Sequence, residues 1–192
     1  EDGTVYLMGY VGFDTEIPIP AYVDAINGEF FYAGGVFYNS DVTKVTVSEG
    51  VEYMGGVFVE CEYLTEVVLP NSLKVMDGYC FYYCDALTTI DLPDALEELA
   101  GRVFYYCGIS GEIVIPETVT YAGYNVFYGS SNLLLLVTPT ECPSAWDSDW
   151  AGSNSVIYGY DGAEHTYTFE TNGGAAIDPI TTKYAVTLPT PV

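Results

Sequence analysis

A single spacing runs through most of this sequence. Aromatic residues of one column recur at intervals of 23: Phe58, Phe81, Phe104, Phe127 and Trp150. Prolines keep the same interval: Pro70, Pro93, Pro116 and Pro139. A third column begins with cysteine and continues with serine: Cys61, Cys84, Cys107, Ser130 and Ser153. Three columns with one period predict stacked structural repeats, in which each unit buries its apolar face only against its neighbours.

Each repeat contains one short segment with the alternation of a half-buried strand. The segment reads L-T-E-V-V-L-P from Leu64 and L-T-T-I-D-L-P from Leu87. Since alternate side chains of a strand point to opposite faces, we expect Val67 and Ile90 to point into the core. The proline ends the strand because it has no N–H for a further ladder bond. All units open on an apolar residue: Val42, Leu64, Leu87, Ile109, Leu133 and Val156.

The ends of the array follow the same pattern with small departures. Ile17-Pro-Ile-Pro20 repeats the strand end and predicts an N-terminal coil with Ile17 and Ile19 facing inward. We assign Phe37 to the aromatic column, with a short insertion around residues 25–31. The unit that opens at Ile109 carries one extra residue, interpreted as a loop insertion. In the segment 133–137 we expect Leu133 and Leu136 to point inward.

Charge and composition exclude several classes of function. Twenty-seven acidic residues stand against four basic ones, for a net charge of −23, which repels nucleic acid and anionic lipid. No apolar run approaches the roughly 20 residues of a spanning helix, so membrane insertion is not expected. The single histidine, His165, lies at a predicted domain junction, which disfavours Ser/His/Asp and Cys/His catalysis. We therefore predict a protein that is not an enzyme, with no catalytic residues and no cofactor.

Five cysteines leave three interpretations: buried core residues, a disulfide, or a zinc site. The cysteines of the third column should stack one strand spacing apart, and Cys80 and Cys142 occupy positions that hold valine and leucine in other repeats. These positions favour the core interpretation. No Cys-x-x-Cys pair is present, and so no metal site is predicted.

Two surfaces are candidates for binding. Tyrosines that follow the aromatic column should line one edge of the stack: Tyr38, Tyr82, Tyr83, Tyr105, Tyr106 and Tyr128. Tyrosine offers a large contact area for little entropy loss, although packing between coils is the alternative use. The second surface is the outward face of the strands: Glu66, Val68, Asp91, Glu112, Leu135 and Val137. Leu134, Leu135 and Val137 make the strand at 133–137 apolar on its outward face as well as its inward face. Such a strand predicts a covering segment or a partner.

The units from Leu64 and Leu87 resemble BspA-type leucine-rich repeats of bacterial surface proteins, and the resemblance covers residues 9–162. It implies a β-rich leucine-rich-repeat solenoid of about six coils, 22–24 residues each, over residues 1–163. Residues 164–192 resemble the first half of a Listeria–Bacteroides (internalin B-type) repeat, a small β module. In that segment Asn172-Gly-Gly174 predicts a hairpin turn.

Both resemblances imply an extracellular protein displayed on a bacterial cell surface. The function they imply is non-enzymatic binding of a protein ligand, or adhesion to host or neighbouring cells. Two alternatives stay open. One is a glycan-binding module, because exposed tyrosine and aspartate stack on sugars and hydrogen-bond to them. The other is a structural spacer without its own ligand.

Overall fold

The computed structural model describes residues 3–28, 35–130, 132–167 and 179–182. These ranges form short strands and turns, without a helix. The strands are β1 Tyr6–Leu7, β2 Glu16–Ile19, β3 Ala25–Asn27, β4 Lys44–Val47, β5 Tyr53–Gly55, β6 Glu66–Val68, β7 Val75–Met76, β8 Glu98–Leu99, β9 Gly111–Ile115, β10 Tyr121–Ala122, β11 Leu133–Val137, β12 Ser155–Tyr158, β13 His165–Tyr167 and β14 Ile180–Thr182.

Two parallel sheets run along the stack. One has the order β1-β3-β5-β7-β8-β10, and the other has β2-β4-β6 followed, after a gap, by β9-β11-β12. Successive coils therefore stack one strand spacing apart. The result is a helix-free parallel solenoid of about seven coils, which confirms the predicted class. Strands β13 and β14 form a separate antiparallel pair, and the predicted turn at Asn172-Gly-Gly174 lies outside the described residues.

The aromatic column forms the spine of the core, as predicted. The rings of Phe37, Phe58, Phe81, Phe104 and Phe127 stack in sequence with centroids 5.2–5.3 Å apart, and all are buried. Each Phe N–H also bonds to the next coil; that of Phe81, for example, donates to the carbonyl of Val103 at 2.8 Å. Trp150 closes the column edge-on against Phe127 at 6.1 Å. Stacked rings of this kind contribute beyond their buried area.

The N-terminal coil is partly as expected. Strand β2 pairs with β4, which places Ile17 opposite Val45 and Ile19 opposite Val47 and confirms the strand predicted there. The predicted insertion is present but begins later than residue 25. Asn27 lies opposite Gly55, whereas the N–H of Val36 already donates to Gly56, so the extra residues lie between Gly28 and Val36, mostly outside the described residues. Residues 25–27 form β3, a regular strand between β1 and β5. The offset arose because the sheet that contains β3 has little sequence signal: its strands are only two or three residues long.

The register of β11 corrects the orientation predicted for its side chains. Leu135 pairs with Ile113 and Val137 with Ile115, and all four side chains are buried. Leu135 and Val137 therefore face inward, and the prediction that they face outward is wrong. The outward position is held by Leu136, which is itself covered at 1% exposure. The prediction assumed that the interval of 23 residues between Pro116 and Pro139 also holds for the strand, but Ile113 pairs with Leu135, an interval of 22. A difference of one residue exchanges the inward and outward faces of a strand.

Four of the five cysteines are buried, as predicted, and all five thiols are unpaired in this structure. The thiols of Cys61 and Cys84 donate to the carbonyls of Phe37 and Phe58, at 2.8 and 3.0 Å. Ser130 makes the same bond to Phe104 at 3.1 Å. The column therefore gives three of the aromatic carbonyls a buried donor, whereas the thiol of Cys107 donates to the carbonyl of Cys84 at 3.4 Å instead.

Cys142 is exposed, so its predicted core position is wrong. In earlier coils a turn forms when the N–H of Leu73 donates to the carbonyl of Pro70. In the last coil the corresponding bond joins Trp146 to Pro143, at 3.0 Å. Pro143 rather than Pro139 therefore begins the final turn, and Trp146 fills the core position.

Candidate binding surfaces

The tyrosine edge forms two stacked rows on the side of the solenoid that carries the aromatic column. In the first row Tyr105 lies between Tyr82 and Tyr128, with ring centroids 5.3 and 5.2 Å away. In the second, Tyr83 and Tyr106 stack at 5.1 Å and contact the first row edge-on. The predicted alignment of these five tyrosines is confirmed. Burial raises the pKa of the Tyr82 hydroxyl above its usual value.

Tyr38 lies apart from the two rows. It occupies the same column as Tyr82, but the intervening coil carries Val59 at that position. Its ring is 47% exposed, and the negative charge of Glu60 raises the pKa of its hydroxyl. Tyr38 therefore does not join the stacked surface that the sequence pattern predicted for it.

Arg102 joins the two rows to further tyrosines that the sequence analysis missed. Its guanidinium carbon lies 4.9 Å from the ring centroid of Tyr124, 5.5 Å from that of Tyr105 and 5.8 Å from that of Tyr79. The guanidinium Nη1 donates to the Tyr79 hydroxyl at 2.8 Å, and this bond raises the pKa of Arg102. Cation–π contacts contribute about 0.5–2 kcal/mol each. A periodic signal was present, because Tyr79 and Arg102 each lie two residues before a core phenylalanine.

We call this cluster the aromatic patch. It consists of Tyr79, Tyr82, Tyr83, Arg102, Tyr105, Tyr106, Tyr124 and Tyr128.

The backbone of the aromatic patch is held in an unusual conformation. Tyr79, Tyr83, Arg102 and Tyr106 have φ of +64°, +57°, +63° and +50°. In neighbouring coils the equivalent positions also have positive φ, but most carry smaller residues: Gly35, Asn39, Gly56, Glu60, Asn125, Gly129 and Gly152. A left-handed conformation costs a bulky residue about 1–2 kcal/mol. Large side chains are therefore held in left-handed positions chiefly where the patch forms.

Backbone bonds between coils rigidify these positions. The N–H of Tyr83 donates to the carbonyl of Tyr105 at 3.0 Å, and that of Tyr106 to Tyr128 at 2.8 Å. The rings are thus presented by a fixed backbone, and little side-chain or loop ordering is needed when a partner binds.

The outward face of the strands keeps four of its six predicted residues. Glu66, Val68, Asp91 and Glu112 are exposed. Between β6 and residues 89–91 the sheet is interrupted, which leaves a shallow groove of about 310 Å³ lined by Glu66, Val68 and Asp91. Lys44 forms an ion pair with Glu66 at 2.7 Å. This surface is small and mixed in charge, and it lacks the preorganised rings of the aromatic patch.

The described residues contain no cluster of three or more histidine, cysteine or acidic side chains arranged for a metal ion. In the same part of the chain no helix has the length and apolar character needed to cross a bilayer.

The fold defines a leucine-rich-repeat scaffold. Within this class, the chain belongs to the family described as the BspA type leucine rich repeat region, whose family model matches residues 32–148 in six copies. No curated protein sequence matches the chain significantly.

Two solved structures resemble the solenoid. A leucine rich cell surface protein from Faecalibacterium prausnitzii A2-165 superposes with a TM-score of 0.61 at 20% identity, over 84% of this chain and 52% of that one. A leucine rich repeat protein from T. pallidum superposes with a TM-score of 0.58 at 20% identity, over 68% of this chain and 62% of that one. The matched regions thus span less than two thirds of both structures. At these identities the likeness shows the fold.

Proposed function

We propose that this chain is an extracellular scaffold on a bacterial cell surface and that its aromatic patch binds a protein partner. The observation that carries the proposal is the left-handed backbone beneath Tyr79, Tyr83, Arg102 and Tyr106. Backbone strain at bulky residues costs stability, and such strain clusters at binding sites. A spacer without a ligand gives no reason for it.

The chemistry of the aromatic patch suits a protein interface. Tyrosine and arginine are over-represented among the residues that dominate protein–protein binding energy. Tyr83, Tyr106 and Tyr128 are 38–41% exposed, so rings and hydroxyls are available for contact. Arg102 supplies donors for backbone carbonyls or a carboxylate.

Stacking disfavours a glycan at the same place. The ring faces of Tyr82, Tyr105 and Tyr128 are directed at each other with interplanar angles of 7° and 15°. A sugar ring needs an open aromatic face, whereas the rows offer edges and hydroxyl groups. The acidic field of the whole chain, −23, also steers basic or neutral partners toward the surface rather than acidic ones.

The surface location rests on the family and on the cell-surface description of the similar F. prausnitzii protein. Adhesion to host or neighbouring cells is the cellular role that follows if the partner is itself a surface protein.

The test is a binding screen against an array of secreted and surface proteins, followed by affinity measurement on each hit. The double variant Tyr83→Asn, Tyr106→Asn removes two rings and places a residue that tolerates positive φ at both positions. We expect its affinity for the protein partner to fall by at least about tenfold. Its free energy of unfolding should stay within about 1 kcal/mol of wild type.

Tyr63→Ala is the matched control, because this ring is 59% exposed and lies outside the aromatic patch. It should bind like wild type. Equal affinity of the double variant and wild type for every protein hit would overturn the proposal. So would a glycan ligand whose binding is lost in the double variant.

A further inference from the structure

A polar cavity lies on the β1-β3-β5 part of the first sheet, away from the aromatic patch. Its volume is about 630 Å³, within the range of small-ligand sites. The side chains that matter for recognition are those of Tyr6, Asp24, Asn27, Glu52 and Tyr53.

Strand register explains why the cavity exists. Tyr6 pairs with Ala25, and Ala25 pairs with Tyr53, so the three residues form one row across the sheet. Two strand spacings separate the tyrosine backbones by roughly 9.5 Å. Ala25 between them is too small to fill this interval, and it forms the floor of a slot with an aromatic residue on either side.

The groups around the slot are already held in place. The Tyr53 hydroxyl donates to Asp77 Oδ2 at 2.5 Å. Asp24 Oδ2 accepts the N–H of Val5 at 2.8 Å, and Glu52 Oε2 accepts Lys74 Nζ at 2.9 Å. Both carboxylates line the cavity, and each has a second oxygen that can accept a hydrogen bond.

We infer that this cavity binds a neutral oligosaccharide. A sugar ring presents an apolar C–H face to an aromatic side chain and hydroxyl donors to carboxylate oxygens, and bonds from hydroxyl to carboxylate are strong. The volume of about 630 Å³ accommodates a short chain of sugars rather than one amino-acid side chain.

The charges around the cavity favour a neutral ligand over an acidic sugar or a cationic side chain. The net charge of −23 disfavours acidic sugars. A lysine or arginine side chain would compete with Lys74, which already neutralises Glu52. A neutral hydroxylated ligand meets neither obstacle. This site goes beyond the protein-binding function proposed for the aromatic patch and is independent of it.

The experiment uses the whole chain on an array of neutral oligosaccharides, followed by calorimetry with the soluble form of each hit. Tyr6→Ala removes one wall of the slot. Asp24→Asn removes the charge but keeps an oxygen that can accept the Val5 N–H. We expect each variant to weaken sugar binding by about tenfold or more.

Tyr121→Ala is the matched control, because Tyr121 is 41% exposed and lies in the same sheet in register with Glu98, outside the cavity. It should bind as wild type does, and urea unfolding should show that all three variants are folded. Two outcomes would each overturn the inference: no binding on the array, or unchanged affinity in both cavity variants. The variant Tyr83→Asn, Tyr106→Asn should leave sugar binding intact, which separates this site from the aromatic patch.

Discussion

The ring of Tyr106 occupies the space that a side chain at Gly129 would need. A Cβ atom at position 129 would lie 2.7 Å from that ring, closer than real contacts allow. Gly129 also has φ of +83°, in the left-handed region that glycine adopts without cost. The missing side chain in one coil therefore permits the large ring of the coil before it.

This relationship predicts that Gly129→Ala displaces the Tyr106 ring and destabilises the fold. Both the strained φ and the clash contribute, so we expect a loss of about 2 kcal/mol in the free energy of unfolding. Gly111→Ala separates the two effects, because Gly111 has φ of +87° with nothing near its missing Cβ. It should cost about 1 kcal/mol. Urea titration measures both values, and equal losses would contradict the steric explanation.

Removing one ring from the aromatic column should be far more costly than removing an exposed ring. Phe81 is wholly buried between Phe58 and Phe104, and Phe81→Ala leaves a cavity with partners on both sides. We expect a loss of about 3–5 kcal/mol in the free energy of unfolding. Exposed Tyr63→Ala should change it by less than about 0.5 kcal/mol. A loss below about 1 kcal/mol for Phe81→Ala would show that the stack is not the core.

Thiol labelling should distinguish Cys142 from the other cysteines. Only Cys142 is exposed, whereas burial raises the pKa of Cys84 and raises that of Cys107 to about 12. A hydrogen bond from Cys84 lowers the pKa of Cys61, but that side chain is fully buried and out of reach of the reagent. Near pH 8, we expect the folded chain to react at one thiol, since the thiolate is the reacting form.

The control for this labelling is Cys142→Ser, which should abolish fast reaction in the folded chain while four thiols still react in urea. Rapid labelling of the folded Cys142→Ser variant would show that the cysteine column is accessible.

Acid sensitivity should depend in part on Glu49. The backbone N–H of Asn71 in the next coil donates to its carboxylate at 3.0 Å, and this bond lowers the pKa of Glu49. A lowered pKa in the folded state gives stability that is fully present above the unfolded value of about 4.3. That stability disappears as the pH falls through the folded value.

Glu49→Gln should therefore be less stable than wild type at neutral pH, and the difference should shrink as the pH drops below about 4. Urea midpoints at neutral and acidic pH measure the difference, with exposed Glu117→Gln as the control. A constant difference between wild type and Glu49→Gln across this range would rule out the carboxylate as its source.

Much of the core was predictable from spacing alone. The phenylalanine column, Phe37 included, repeats at nearly constant intervals, and each member is buried. Predictions failed where a repeat gains or loses a residue. One extra residue between β11 and Pro139 led to the wrong prediction that Leu135 and Val137 face outward. The final turn begins at Pro143 instead of Pro139, and so Cys142 is exposed.

The aromatic patch was predictable only in part. Tyr82, Tyr105 and Tyr128 follow the core column directly, and so their alignment could be expected. The contact of Arg102 with Tyr79 and Tyr124 joins three coils, and the positive φ of Arg102 has no signature in local composition.

The sequence by itself determined the repeat length and the buried aromatic and cysteine columns, because these depend on side-chain periodicity within one coil. Only the tertiary structure decided which rings meet, which backbone positions are left-handed and where the cavity beside Ala25 opens. Those features arise when residues about 23 positions apart come within one strand spacing, a distance set by stacking and not by any single repeat.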